Sequence, residues 1–337
     1  MKTARTRVTT GYLRFILVVV PLLVAANTVG PRGCAIDVQC GDVLDLDHGQ
    51  YRLNGDLVCP AGAPSPDEPS WGGPAAVTIT GEGVHFNLNG YTITRDDSSG
   101  ILLFSGINVT GAYAHINGGS IVDINCPLRG SPDCSAIFLR ANAHGAKING
   151  MSLHNNTQGI LAIDQASGAR IHGNDISGNL RLGIGLVDLA GGAMITDNDL
   201  SDTGGYTDPD GTLRGGWGYW GSADDVRLIG NVANNCVRQG IRLSFDSVGN
   251  PPGFAERNTI RDNETIDNGR AGILLWAGEE ADRPRDNLIQ SNTSLHLETP
   301  GIIDLAEGFG PAGPQLDCLN TWKDNDFELA NPAGCIE

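Results

Sequence analysis

Basic and aromatic side chains are scarce in this chain of 337 residues. Lys and Arg number 22 against 39 Asp and Glu, and Phe, Trp and Tyr together make up 6%. The formal charge of −17 repels nucleic acid and most polyanions unless calcium or a local basic patch intervenes. No Cys-x-x-Cys and no His cluster occurs, which argues against a zinc site. Beyond residue 26 no apolar run approaches the roughly 20 residues of a membrane helix, so no membrane partner is expected of the mature chain. What is abundant is glycine, at 47 residues, with only 18% charged residues: a turn-rich globular chain rather than a disordered one.

The N-terminus reads as an export signal. Residues 1–14 carry Lys2, Arg5, Arg7 and Arg14 and no acid, and the apolar run Phe15–Ala26 follows. Val24 and Ala26 hold the small-residue positions before a cut ahead of Asn27. Cleavage there leaves 18 basic and 39 acidic residues, a charge of −21. The expected location is secreted, extracellular or cell wall, with a monomer as the expected state. All eight cysteines follow the signal, and an even number in an exported chain points to disulfides. Cys126 should pair with Cys134 around a Pro/Gly loop, and Cys318 with Cys335 at the C-terminal end. Cys59 should take Cys34 or Cys40, leaving Cys236 with the other.

Repeats decide the fold class. The blocks GAKINGMSLHNNTQGILAID (145–164) and GARIHGNDISGNLRLGIGLVD (168–188) share one plan, repeated further along the chain. A short β-branched strand leads to a polar Asn turn, a second strand and a Gly-Ile strand. The turn positions Gly150, Asn174, Asn198, Asn231, Asn263, Asn292 and Asn325 are spaced by 24, 24, 33, 32, 29 and 33 residues. The Gly-Ile strands open at Ile137, Ile160, Ile184, Tyr219, Ile241, Ile273 and Ile302. A bare coil is thus 22–24 residues, and longer spacings are coils with insertions, as in a solenoid. The predicted fold is all-β: a parallel β-helix of about seven similar coils and three short sheets, with Asn side chains stacked at one corner. Asn and Gly suit such corners because they tolerate a left-handed backbone. The expected organisation is 1–26 signal peptide, 27–82 N-terminal cap, 83–310 coils and 311–337 C-terminal cap.

The stretch CGDVLDLDHGQYRLNGDLVCP, then VTITGEGVHFNLNGYTI and the Asn and Gly-Ile repeats, resembles the secreted right-handed β-helix proteins of the pectate-lyase-like superfamily over roughly residues 40–330. That superfamily holds polysaccharide lyases, uronan C5-epimerases, glycoside hydrolases and proteins without a known reaction. The resemblance implies an extracellular polysaccharide as partner and a groove over the Gly-Ile sheet as its site.

Strand alternation nominates the groove residues. With the Ile column inward, Phe138, Arg140, Leu161, Ile163, Gly185, Val187, Trp220, Arg242, Ser244, Leu274 and Trp276 face out. Trp220, Trp276 and Phe138 suit sugar rings, and Arg140 and Arg242 suit carboxylates. Asp164, Asp188 and Asp246 end three of the strands, and Asp188 with either neighbour could supply the carboxylate pair of a hydrolase. The insertions Ser201–Gly216, Asp246–Arg257 and Ala277–Arg285 flank the same stretch. The first contains Tyr206-Thr-Asp208-Pro-Asp210, which resembles the Tyr-x-x-Asp-Pro-His signature of alginate epimerases and lyases. It is one residue short, and Asp210 stands in place of the His. Asp224-Asp225 resembles part of a polygalacturonase motif whose companion motifs are absent. An outward apolar face can equally be covered by loops, and His144, His154 and His172 read as coil residues rather than bases. The functional expectation is a carbohydrate-active protein, a uronan lyase or C5-epimerase. A glycoside hydrolase and a non-catalytic glycan-binding protein are the alternatives, and calcium is the one cofactor considered.

Overall fold

The computed structural model describes residues 35–60, 74–96, 104–125, 134–140, 142–164, 166–187, 190–207, 211–244, 255–277, 284–296, 303–309, 319–328 and 330–331. They belong to one unit, Cys34–Glu337. Its strands stack in parallel register into a right-handed β-helix. Sheet 1 has 13 strands and carries the inward column Ile148, Ile171, Ile195, Leu228, Ile260 and Ile289. Sheet 2 has 11 strands and carries the column Val77, Ile107, Ile137, Ile160, Ile184, Tyr219, Ile241 and Ile273. Sheet 3 has three strands and continues as isolated parallel bridges from Ser152 to Glu264.

The seven Gly-Ile strands read from sequence are therefore joined by three strands before them and one after. The parallel ladder begins at Ile36, within the segment expected to form a cap. The last of the seven is shifted: Leu305, not Ile302, stands in register with Ile273.

The two main sheets differ in exposure. Strands of sheet 1 alternate exposed, buried, exposed, as in Arg170–His172. Strands of sheet 2 are buried on both faces, as in Ser135–Leu139 and Gln158–Ala162. The glycine of the Gly-Ile pair is forced by coil stacking. A Cβ on Gly159 would lie 2.5 Å from the Gly183 carbonyl oxygen, and one on Gly183 would lie 2.4 Å from that of Gly218.

Asn174, Asn198, Asn231, Asn263 and Asn292 form the expected buried corner column. Each Nδ2 donates to the Oδ1 of the next, from 2.8 Å for Asn174–Asn198 to 3.0 Å for Asn292–Asn325. Each also donates to a sheet 1 carbonyl, Asn198 to Ile171 for example. Gly150 is not in this column. Met151 is the residue in register, and its N–H donates to Asn174 Oδ1. Gly150 precedes it at φ 59°, aligned with Gly173 at 62°. Two further polar columns escaped the sequence reading. Asn156 bonds to Asn179 across the third sheet, and Asn258, Asn287 and Asn320 link the opposite corner.

The disulfide Cys40–Cys59 forms, resolving the choice left for Cys59. Cys134 is disulfide-bonded. Cys34, Cys126, Cys318 and Cys335 lie outside the described residues. Cys236 departs from expectation, being a buried free thiol. It fills a place in a polar column, where its N–H donates to Asn268 Oδ1 and its sulfur lies 3.6 Å from the Leu200 carbonyl. Burial pushes its pKa up to about 12. Among the described residues the one antiparallel pair is a hairpin, Gly205–Thr207 with Leu213–Gly215, within the first predicted insertion.

Candidate functional site

The outer face of sheet 2 changes character along the helix axis. On the earlier coils Phe138, Leu161 and Val187 form an apolar cluster separate from the main core, with Ile163 and Trp220 packed against it. Phe138 is 2% exposed and Arg140, whose guanidinium stacks on the Phe138 ring at 5.3 Å, is 7% exposed. Both point outward as alternation required, yet neither presents a surface to a ligand here. The alternative that an apolar outer face is simply covered holds for this half.

The next three strands, Trp217–Gly221, Gln239–Ser244 and Ala271–Ala277, carry a different group. Trp220, Arg242 and Leu274 are in register, as are Ser244 and Trp276. Trp217 and Trp220 stack with centroids 5.9 Å apart and planes at 25°. The Arg242 guanidinium lies over Trp276 at 4.7 Å and Trp217 at 5.4 Å. Arg238 lies over Trp217 at 5.0 Å. Trp217 Nε1 donates to Gln239 Oε1 and Trp220 Nε1 to Ser244 Oγ, both at 2.7 Å. The indole N–H groups are thereby satisfied within the protein and the rings are held in place, so what they offer a ligand is apolar area and π faces.

The arginines are poorly compensated. Buried Nε atoms of Arg238 and Arg242 have no hydrogen-bond partner among the described residues. Burial pulls the Arg242 pKa down to about 10, helped by the charges of Arg238 and Arg270. Arg238 is lowered by burial, then by Arg270 and Arg214. Four guanidinium groups thus share one region of a strongly acidic protein. Arg214 comes from the hairpin, where it stands opposite Tyr206. Gly215 and Gly216, at φ 73° and 83°, turn the chain from hairpin to sheet, and the Arg238 N–H bonds to the Gly216 carbonyl.

Of the residues nominated from sequence, the structure brings Trp220, Arg242 and Trp276 together, all half-buried. Tyr206 is half-buried on the adjoining hairpin. Asp164 is an exposed turn residue at φ 58° on an earlier coil. Asp188, Asp208, Asp210 and Asp246 lie outside the described residues. Asp224 and Asp225 grip Arg257 at a corner, at 3.2 and 2.9 Å. His144 meets Tyr113 edge-on, His154 pairs with Asp175 and His172 with Asp197, so the three histidines lie away from this face. Among the described residues no group of three His, Cys, Asp or Glu could hold a metal ion.

Sequence reasoning missed Trp217, Arg238, Gln239, Arg214 and Arg270. The signal was present in Trp-Gly-Tyr-Trp and Arg-Gln-Gly-Ile-Arg. The glycine marks a corner where strict alternation breaks, so the residue before it also faces out.

A family model described as "right handed beta helix region" matches residues 75–303. No curated protein sequence matches the chain. Among solved structures, the Dettilon tailspike protein is 18% identical with a TM-score of 0.58, covering 82% of this chain. This chain spans 52% of that protein's length. A periplasmic alginate epimerase is 14% identical with a TM-score of 0.50, covering 86% of this chain and 71% of the epimerase. At such identities the likeness is one of fold.

Proposed function

The chain belongs to the right-handed β-helix family, and on that footing we propose that it is an exported protein acting on an acidic polysaccharide held over Trp217–Trp276. The observation that carries this reading is the pair Arg238 and Arg242. Their guanidinium groups are half-buried and stacked on tryptophans, and their Nε atoms have no hydrogen-bond partner among the described residues, an arrangement that asks for an anion. A uronate offers both a carboxylate for the arginines and a ring face for the indoles. The basic cluster also bears on the objection that a chain of −21 repels polyanions, since four guanidinium groups influence one another here. The alginate epimerase among the structural relatives is compatible with a uronan substrate.

The chemistry we favour is elimination or C5 epimerisation. Both require a neutralised carboxylate, so that charge developing as the C5 proton leaves can spread onto it. Arg242 and Arg238 would fill that role. Tyr206, with Asp208 and Asp210 on the same insertion, is proposed as the source of the proton-transfer groups. A lyase then delivers a proton to the leaving glycosidic oxygen, and an epimerase to the opposite face of C5. Asp188 is the residue to test for hydrolysis. Incubation with a panel of uronans should be read for unsaturated-product absorbance, reducing ends and C5 configuration. Loss of turnover in both Arg242→Ala and Tyr206→Phe supports the reading. Reducing ends without unsaturation, abolished by Asp188→Asn, would replace it with hydrolysis. Binding without any turnover would leave a glycan-binding protein.

A further inference from the structure

We propose that the outer face of sheet 1 is a second binding strip for an acidic polysaccharide, strengthened by histidine protonation as pH falls. The strip is distinct from the Trp–Arg cluster on sheet 2. Four consecutive rungs place His85, His115, Lys147 and Arg170 in one outward column. The neighbouring outward column runs Asn87, Asn117, Asn149 and His172. From Gln50 to Lys323, no outward residue in register on this sheet is acidic. This is unexpected for a chain with 39 acidic residues.

Rungs of a parallel ladder are about 4.8 Å apart, so the four basic groups span about 14 Å along the axis. Like charges directly opposite one another on a sheet are destabilising. Among the described residues neither Lys147 nor Arg170 has an ion-pair partner. An external polyanion lying along the axis would neutralise successive rungs, and the flanking amides could bond its hydroxyl groups. The corners bordering these rungs on the far side, Asn89, Gly118, Gly150 and Gly173, are uncharged. Acids stand at the two ends, with Asp47 and Glu82 by the first rung and Asp197 paired to His172 at 3.3 Å.

His115 sits at the centre. Its ring meets His85 edge-on at 5.1 Å, and its Nε2 lies 3.0 Å from Asn149 Nδ2. The charged and titratable groups facing it are His85 and Lys147. Burial first, then those two neighbours, hold its pKa below the ordinary value. Protonation therefore comes late as pH falls, and a bound polyanion would favour it. Uronate carboxylates stay ionised over the same range, as do arginines, so pH dependence between about 5.5 and 8 isolates the histidines from the sheet 2 cluster.

The test is binding of polygalacturonate to the full chain at about pH 5.5 and 8, with dextran as the neutral control. The expected result is tighter binding at the lower pH, weakened on the order of tenfold there by K147E/R170E. H85Q/H115Q/H172Q should bind alike at the two pH values, and Arg242→Ala should keep the pH difference intact. Thermal melts establish that each variant is folded. Absence of pH-dependent binding, K147E/R170E within about twofold of the unaltered protein, or a pH difference that disappears with Arg242→Ala would each overturn the proposal.

Discussion

Replacing Asn198 by Ala removes the centre of the corner column. Its Nδ2 donates to Ile171 O at 3.0 Å and Asn231 Oδ1 at 2.9 Å. Its Oδ1 accepts from Asn174 N at 3.0 Å and Asn174 Nδ2 at 2.8 Å. All four bonds are buried, and a buried bond contributes roughly 1 kcal/mol net, with more lost where a partner is orphaned. The expected loss is about 4 kcal/mol. Asn325 is half-buried and ends the column, accepting from Asn292 N and Nδ2 and donating to Ile289 O. Asn325→Ala should cost about 1–2 kcal/mol, because water can satisfy part of what is lost. Asn142, exposed, is the control and should cost less than about 0.5 kcal/mol. Urea unfolding followed by circular dichroism measures all three. Partial unfolding of coils from one end must be checked, since solenoids depart from two-state behaviour when coils uncouple. Equal losses for Asn198 and Asn142 would refute the view that the amide column fastens coil to coil.

Other consequences are open to direct measurement. Tyr219 replaces Ile in the sheet 2 column and its buried hydroxyl has no partner among the described residues, so Tyr219→Phe should leave stability unchanged or raise it by about 1 kcal/mol in the same denaturation assay. Phe138→Ala should cost about 3 kcal/mol, because Phe138 lies in a buried outer cluster rather than an open groove. Cys236, with its pKa pushed up to about 12, stays a thiol at ordinary pH. Alkylation should reach it only after unfolding, as peptide mass spectrometry would reveal; modification of the native protein would contradict its burial.

The repeat was legible because each coil needs the same three things: an inward aliphatic on each main sheet, an Asn at the corner, and a glycine where coils crowd. Those demands recur at fixed spacing, as at Asn174, Asn198 and Gly159, Gly183. The first coils were missed because they lack the corner Asn: Met151 and, before it, Gly119 hold that place. Cys236 was misassigned because cysteine count carries no position: it takes an Asn-like place in a polar column, which only the stacking reveals. The outer face of sheet 2 was half legible. Alternation gave the direction of Phe138 and Arg242 alike, but whether an outward residue is covered depends on loops, which follow no period. Trp217 was lost to the glycine corner that interrupts alternation, and Arg238 to its place just before the strand Gln239–Ser244.

The central claim is that the Trp–Arg cluster on sheet 2 binds an acidic sugar. Its most direct test is calorimetric titration of the K147E/R170E variant, at about pH 8, with a uronate oligosaccharide and a neutral oligosaccharide of equal length. The account predicts binding of the uronate alone, weakened by roughly 1–3 kcal/mol in Trp276→Ala and at least as much in Arg242→Ala. Equal affinity for the neutral oligosaccharide, or uronate binding that survives both substitutions, would contradict it.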